Sequence, residues 1–273
     1  METMTSADGT TIGVLSHGTG PGIVVIPGST RRARHYDGLA AALGDRFTVH
    51  AIDRRGRGAS GPQGPGYSID DEVEDALAVL DGTGSEIVFG HSYGGSIALR
   101  LAQRRRLAAL IAYDPGVSLN GSFDLRFLPS FTASVEHRRF ATAMATLMTG
   151  LGLRPLGNAP RFAYTTMAWL MMHTGEGADL RETLRAVPAE AGQIRDLDSD
   201  GSQYATITTP TLLLGGGRSP EHIRYALAEL DRIIPDSTLL ISASLDHNAP
   251  DLTAPAIVAG LVRAFLTPAD AAL

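Results

Sequence analysis

The chain has no cysteine and no lysine among its 273 residues, so all 23 of its basic side chains are arginine. Without cysteine there is no disulfide, no thiolate nucleophile and no cysteine-ligated metal. Without lysine there is no Schiff-base chemistry, no lysine-anchored pyridoxal phosphate and no P-loop lysine. These absences exclude several classes of enzyme, and we expect the protein to work without a cofactor or a metal ion.

The sequence also lacks a strong charge of one sign and a long apolar run. Its formal net charge of −6 is not the electrostatic footprint of a protein that binds nucleic acid or an anionic membrane surface. Residues 1–5 have neither the basic region nor the apolar core of a signal peptide, and no window approaches transmembrane length. We therefore expect a cytoplasmic protein whose partner is a small-molecule substrate, with no bound nucleic acid or membrane.

Short apolar runs alternate with segments of helical periodicity along most of the chain. A hairpin is predicted over residues 1–21, and a strand followed directly by a helix over 87–102. Further strands are predicted at 23–26, 47–52, 107–113, 211–215 and 238–241, and further helices at 34–43, 68–80, 221–230 and 254–266. This alternation predicts an α/β fold, with a mostly parallel, doubly wound sheet covered on both faces.

The alternation stops between residues 117 and 205, where helical stretches are separated by prolines. We predict that 117–205 is an inserted helical lid, and that residues 1–116 and 206–273 form the core domain. The large apolar side chains of this segment could simply be its own core. As a group they predict an adaptable apolar wall over a substrate site. The residues of this predicted pocket are Met144, Met148, Met167, Trp169 and Met171.

Residues 90–94 read Gly-His-Ser-Tyr-Gly, between a predicted strand and a predicted helix. This is the G-x-S-x-G pattern of a nucleophile elbow. A serine on so sharp a turn has a strained backbone, and side chains two positions away on either side would collide, so Gly90 and Gly94 fit the turn. The turn lifts Ser92 to the carboxyl edge of the sheet, where α/β folds bind ligands. The alternative is a serine that only caps the helix.

Four features of the sequence together resemble the α/β-hydrolase superfamily, in its serine-nucleophile, esterase- or lactonase-like branch. They are the elbow, the order of elements, a histidine before the last helix, and residues 53–60, which read Asp-Arg-Arg-Gly-Arg-Gly-Ala-Ser. The resemblance covers nearly the whole chain outside 117–205, and it implies a sheet of the α/β-hydrolase type. Serine at position 92 argues against the dehalogenase and epoxide-hydrolase branches, which use aspartate there. It does not identify the substrate, because this fold supports many chemistries.

The resemblance implies that His247 is the catalytic base, since it follows the last predicted strand, where the family's histidine lies. The alternative is a solvated loop histidine. His91 adjoins the nucleophile on a turn that directs its side chain elsewhere. We therefore expect Ser92 and His247 to be the reacting pair.

The acid departs from the family's usual pattern. Family members usually carry an aspartate after the strand matching 211–215, but Ser219 occupies that position here. Some members take the acid from the end of the preceding strand, which here is Asp114. We therefore predict Asp114 as the catalytic acid, with Glu221 as the alternative. Asp114 also begins an Asp-Pro-Gly sequence, which is itself a turn signal.

An oxyanion hole needs two N–H donors. The resemblance implies the backbone N–H of Tyr93 and of Ser29, and it departs from the family's usual His-Gly by having Pro27 before Gly28. Thr30 could add a hydroxyl to the pocket. The arginine-rich segment 31–34 is either a solvated face or a site that meets a substrate carboxylate.

These residues predict a serine hydrolase that cleaves a small-to-medium, largely apolar ester or lactone through an acyl-enzyme. Two other functions stay open. One is a cofactor-independent lyase, cyclase or acyltransferase on the same fold, and turnover of aryl esters would argue against it. The other is a ligand-binding, receptor-like protein with weak catalysis, which tight ligand binding without turnover would favour.

Overall fold

The computed structural model describes residues 1–267, and its strands form one eight-stranded sheet. Their order across the sheet is β1-β2-β4-β3-β5-β6-β7-β8. The strands are β1 (Glu2–Thr5), β2 (Thr11–Gly18), β3 (Gly22–Ile26), β4 (Thr48–Ile52), β5 (Ile87–His91), β6 (Ala109–Tyr113), β7 (Thr211–Gly216) and β8 (Ser237–Ser242). Strands β1 and β2 pair antiparallel, as does β2 with β4, and every other pairing is parallel. The predicted hairpin and mostly parallel sheet are confirmed.

Helices cover both faces of this sheet, as predicted for a doubly wound fold. Apolar side chains of α2, α3 and α8 pack on one face, and those of α1 and α9 pack on the other. The helices are α1 (Asp37–Leu43), α2 (Ile69–Thr83), α3 (Tyr93–Arg104), α4 (Leu128–Glu136), α5 (Phe140–Gly150), α6 (Arg161–Met171), α7 (Gly177–Asp196), α8 (Glu221–Ile233) and α9 (Pro255–Leu266). Burial of both faces explains why the central strands β5 and β6 are continuous apolar runs.

The segment between β6 and β7 carries α4 to α7. Helix α5 packs on α4 and α6, and α7 packs on α4 and α5. Their buried side chains form an apolar cluster separate from the two on the sheet, which includes Phe131, Leu147, Tyr164 and Leu184.

Element ends differ from the prediction by a few residues, for identifiable reasons. Helix α2 begins at Ile69, one residue after its predicted start, because Ser68 caps it: the Ser68 hydroxyl accepts from the Asp70 N–H at 3.2 Å. It continues to Thr83 because Gly84, with φ 64°, provides the left-handed residue that ends it. The helix predicted at 34–43 divides into a 3₁₀ turn, Ala33–Tyr36, and α1. Residues 268–273 of the predicted core lie outside the described residues.

Membrane insertion of a helix can be judged from length and hydropathy. Within residues 1–267, no helix combines the length and apolarity needed to cross a membrane.

Candidate active site

Ser92 lies in the single-residue turn between β5 and α3. Its φ of 55° and ψ of −123° are a sparsely populated backbone conformation, which is found mostly at functional sites. A Cβ at position 94 would lie 2.1 Å from the Ile26 carbonyl oxygen, and one at position 90 would lie 2.4 Å from the Gly94 carbonyl oxygen. Only glycine fits at both positions, so the local sequence produces this turn.

The side chains of Ser92, His247 and Asp114 lie in one hydrogen-bonded row. Nε2 of His247 is 3.2 Å from the Ser92 hydroxyl oxygen, and Nδ1 is 3.1 Å from Oδ2 of Asp114. A carboxylate accepts a hydrogen bond, so the ring carries its proton on Nδ1 and donates it to Asp114. Nε2 is then free to accept the Ser92 proton, which is the arrangement that general-base activation of a serine requires.

Asp114 follows directly on β6, with φ 43°, and its side chain is fully buried. Its carboxylate also accepts the Gly216 N–H at 3.2 Å and the Ser219 hydroxyl at 2.5 Å. Ser219 thus supports the carboxylate from the position where the family's usual pattern has the acid itself. Glu221, the alternative acid, is exposed at the start of α8, and the carboxylate at Nδ1 of His247 is that of Asp114.

The backbone N–H groups of Ser29 and Tyr93, the predicted oxyanion donors, are oriented by the carbonyls of Gly28 and Ser92, which belong to the same peptide units. The Gly28 carbonyl accepts from the Arg31 N–H at 3.2 Å and from the buried Arg57 at 3.4 Å. In a trans peptide the carbonyl and the next N–H point in opposite directions, so the Ser29 N–H points away from Arg57. The Ser92 carbonyl likewise accepts from the N–H groups of Gly95 and Gly116, each at 2.8 Å. The Tyr93 N–H therefore points away from both.

The loop that contains Ser29 rests on buried arginines. Arg57 donates to the Ser29 carbonyl at 2.6 Å and pairs with Glu190 of α7. Arg54 donates to Glu190 at 2.8 Å and to both oxygens of Glu72 at 2.6 Å. These four side chains are at most 2% exposed, and ions buried this deeply are tolerated only when paired.

Sequence reasoning missed Glu190. Its arginine partners lie more than 130 positions away along the chain, and no local pattern connects them. The arginines of residues 53–60 are the signal in the sequence, but they do not show which carboxylate pairs with them.

Hydrogen bonds through His91 connect the loop that contains Ser29 to His247. The Gly28 N–H donates to the Tyr36 hydroxyl at 3.1 Å, and Tyr36 lies 2.7 Å from Nδ1 of His91. Nε2 of His91 lies 2.8 Å from the carbonyl oxygen of His247. Because a carbonyl only accepts, Nε2 carries the proton, and Nδ1 accepts from the Tyr36 hydroxyl. The sequence correctly indicated that His91 points away from the nucleophile, but it did not show this connection.

The first prediction concerns His91 and acid. Burial lowers the pKa of His91 to about 3, whereas an unfolded histidine has a pKa of about 6.5. The unfolded chain therefore binds the extra proton as the pH falls below 6.5, and this histidine's contribution to stability is lost. We expect the free energy of unfolding to fall by about 2–3 kcal/mol from this group between pH 7 and pH 4.5.

Urea denaturation of the wild type and His91→Gln at the two pH values measures this effect. The variant should lose less stability on acidification, although its stability at pH 7 is lower. His222, whose pKa burial lowers to about 4, still contributes in both proteins. The exposed His17 provides the control His17→Gln, which should match the wild type. Equal acid sensitivity of His91→Gln and wild type would contradict the prediction.

A cavity of about 700 Å³ opens in front of Ser92 and His247. Thr30 lines it, beside the Ser29 loop. Its apolar wall comes from the segment between β6 and β7. That wall includes Leu125, Phe127, Met144, Leu147, Met148, Leu151, Leu153, Met167, Met171, Val187 and Ala191.

Trp169 was predicted in this wall, and that prediction is wrong. Its side chain is 52% exposed, and its ring lies against that of His173, with centroids 4.2 Å apart and the ring planes tilted by 41°. Met167 and Met171 are four residues apart in α6 and share the face that lines the cavity. Trp169 lies two residues from each, about 200° around the helix, and so faces solvent.

One cluster has the residue types of a metal site. Ligand atoms of His35, Glu176 and Asp179 lie within 4.8 Å of one another. Arg34 already donates to Glu176 at 2.7 Å and lies 2.9 Å from Asp179, so the negative charge is compensated by a guanidinium. The cluster ties the 3₁₀ turn to the start of α7 and does not resemble a cation site.

Comparison with known proteins places this arrangement in context. Residues 23–261 match the model of the family described as the alpha/beta hydrolase family. The chain is 36% identical to the lipase LipV of Mycobacterium tuberculosis over 132 residues, which is 47% of this chain and only half of that protein. It is 27% identical to 2-(acetamidomethylene)succinate hydrolase of Mesorhizobium japonicum over 256 residues, or 90% of each chain.

A similar solved structure is an alpha/beta hydrolase from Sphaerobacter thermophilus DSM 20745, with a TM-score of 0.81 and 27% identity. The superposition covers 97% of this chain and all of the other. The similarity therefore extends over the sheet, the elbow and the segment between β6 and β7.

Proposed function

The chain belongs to the alpha/beta hydrolase family, and we propose that it is a serine hydrolase cleaving small-to-medium, largely apolar esters or lactones through an acyl-enzyme. Relatives named as hydrolases support hydrolysis as the type of reaction. The observation that carries the finer proposal is the hydrogen-bonded row of Ser92, His247 and Asp114 at the wall of an apolar cavity.

In the proposed first half-reaction, Nε2 of His247 takes the Ser92 proton as the serine oxygen attacks the substrate carbonyl carbon. The imidazolium that forms is stabilised by the Asp114 carboxylate through Nδ1–H. The N–H groups of Ser29 and Tyr93 donate to the oxyanion, and the latter lies at the positive end of α3. Collapse of the tetrahedral intermediate expels the alcohol, which takes its proton from Nε2.

In the second half-reaction, His247 removes a proton from water, and the hydroxide attacks the acyl carbonyl. Collapse releases the carboxylic acid and returns the proton to Ser92. A lactone follows the same steps, except that the alcohol freed by ring opening remains part of the acyl chain, so the released product is a hydroxy acid.

We further propose that the segment 117–205 acts as the lid of this site. Methionines of α5 and α6 line the cavity, and flexible thioether side chains adapt to varied apolar substrates. Glu190 of α7 is bonded to Arg57 beneath the Ser29 loop. This contact supports a lid that is anchored at α7, next to the reacting groups.

The lid leads to the second prediction, an acyl chain-length preference. Each buried methylene stabilises binding by about 0.8 kcal/mol. Incomplete burial should therefore give about a 10- to 100-fold rise in kcat/KM from acetyl to hexanoyl esters of p-nitrophenol. Met167→Ala should flatten the profile, whereas Trp169→Ala, on the solvent face of the same helix, should preserve it. A flat or inverted wild-type profile would count against the lid as the acyl-binding wall.

Rapid mixing with a p-nitrophenyl ester tests the proposed function. A burst of p-nitrophenol equal to the enzyme concentration, with acyl mass added at Ser92, is the expected result when deacylation is slow. Steady turnover without a burst but with acyl mass trapped at low pH would be equally consistent. Absence of both turnover and acylation would contradict the proposal.

A second candidate is hydrolysis of an amide by the same groups. It is favoured by the relative that covers 90% of both chains, which is named for a substrate with an acetamido group. His247 would then protonate the leaving nitrogen. Matched aryl ester and anilide substrates distinguish the two candidates through the ratio of their kcat/KM values.

A further inference from the structure

The cavity is not apolar on every side. Three arginines also line it: Arg31, Arg154 and Arg218. Arg31 is the one nearest in sequence to the proposed oxyanion donors, two residues after Ser29. Its backbone N–H donates to the Gly28 carbonyl at 3.2 Å, so its main chain belongs to the same turn. A group bound by Arg31 would therefore lie beside the reacting carbonyl.

The guanidinium of Arg31 is fixed by an ion pair at its Nε. Nε pairs with Asp251, whose side chain is 1% exposed, while that of Arg31 is 19% exposed toward the cavity. Asp251 lies in the π-helical turn Ala249–Thr253, four residues after His247. Among residues 1–267, no hydrogen bond engages either terminal nitrogen of Arg31. Up to four N–H donors of a fixed, planar group are thus available in the cavity.

The other two arginines are less suited to binding a ligand in a defined orientation. The side chain of Arg218 is 63% exposed, donates to the Ser244 carbonyl at 2.7 Å and lies 3.7 Å from Asp246. Arg154 is exposed. An anchored guanidinium fork is the group that recognises a carboxylate through two parallel hydrogen bonds.

We propose that Arg31 is the carboxylate-binding residue of this cavity, and that the substrate is an ester bearing a carboxylate a few bonds from the scissile carbonyl. This inference rests on the proposed function. Arg31 lies two residues after Ser29, so their Cα atoms are at most about 7 Å apart, and the carboxylate is bound on the side of the cavity that holds the Ser29 N–H. The methionine-rich wall takes the apolar remainder of the substrate. Asp251 offsets the charge of Arg31, so recognition depends on directed N–H donors rather than on net positive potential.

Two substrates of nearly equal shape test this. One is the 4-methylumbelliferyl hemiester of glutarate, and the other is its methyl diester, in which the carboxylate is blocked. The wild type should prefer the carboxylate in kcat/KM. Arg31→Gln should lower kcat/KM for the hemiester about 10- to 100-fold, the loss expected for a hydrogen bond to a charged group. The same variant should change kcat/KM for the diester less than about threefold. This is our third prediction.

Arg34→Gln is the matched control, since Arg34 lies in the same arginine-rich segment but does not line the cavity. It should keep the wild-type ratio between the two substrates, whatever it does to both rates. The assignment would be overturned if Arg34→Gln, but not Arg31→Gln, lost the preference for the hemiester over the diester. It would also be overturned if Arg31→Gln lowered kcat/KM equally for both substrates.

The wild type alone also decides the question if Arg31→Gln does not fold. Hydrolysis of the diester with no preference for the hemiester would overturn the carboxylate inference and leave the proposed function standing. No hydrolysis of either substrate, with no acylation of Ser92, would instead refute the proposed function.

Discussion

Ser92→Ala is expected to lower kcat by about 10⁵- to 10⁶-fold on an aryl ester and to abolish labelling by a fluorophosphonate. Removing the serine of a related triad costs about this much, because no other group can form the covalent intermediate. The residual rate would come from the oxyanion donors and the cavity. The variant should fold normally, because alanine is smaller than serine and leaves Gly90 and Gly94 in place.

Ser96→Ala is the matched control for this result. Ser96 lies one turn further along α3, its hydroxyl is buried, and no residue of the described chain hydrogen-bonds to it. The same substitution there should change kcat less than about threefold, because no bond to the reacting groups is lost. Turnover retained in a folded Ser92→Ala protein, measured with its circular dichroism and melting temperature, would show that Ser92 is not the nucleophile.

Asp114→Asn is the second large effect, with kcat expected to fall by about 10³- to 10⁴-fold. Asparagine is the same size, but its amide can present an N–H to Nδ1 and so favour the wrong histidine tautomer. It also cannot stabilise the imidazolium by charge. Glu221→Gln should change kcat less than about tenfold, because Glu221 is exposed and Asp114 occupies the site at Nδ1.

The two single variants must be compared on one substrate, at temperatures where both are folded. A crippled Glu221→Gln with a healthy Asp114→Asn would reverse the assignment of the acid. The double variant Asp114→Asn/Ser219→Asp adds a second test. Ser219 Oγ lies 2.5 Å from the Asp114 carboxylate, so a carboxylate placed there should restore part of the lost rate. No recovery would mean that position 219 cannot reach Nδ1.

Several features of the site follow from short stretches of sequence. The turn at Ser92 depends on the glycines two residues before and after it, and the packing of β5 and α3 depends on their own apolar patterns. These patterns involve residues close together in the sequence, so they predict local structure without any knowledge of tertiary contacts. The position of Asp114 at the end of β6 was accessible for a similar reason, since parallel strands end at one edge of a sheet.

Other features depended on side-chain direction. The apolar residues of α6 form one group in the sequence, but the helical period divides them. Met167 and Met171 line the cavity, and Trp169 faces solvent. His91 was excluded as a base because of its turn, yet its connection through Tyr36 to Gly28, and onward to His247, needed the positions of three separate elements.

By itself, the sequence determined the class of fold, the strained turn that presents Ser92 and the apolar character of the segment between β6 and β7. Each of these depends on residues within a few positions of one another. Only the tertiary structure decided which carboxylate lies at His247, how Ser219 supports it, and that Glu190 and Asp251 hold Arg57 and Arg31. Those pairs join residues more than 100 positions apart. They come into contact when the sheet and the helices pack together. A charge that this packing buries is tolerated only beside an opposite charge, and that partner can lie far away in the sequence.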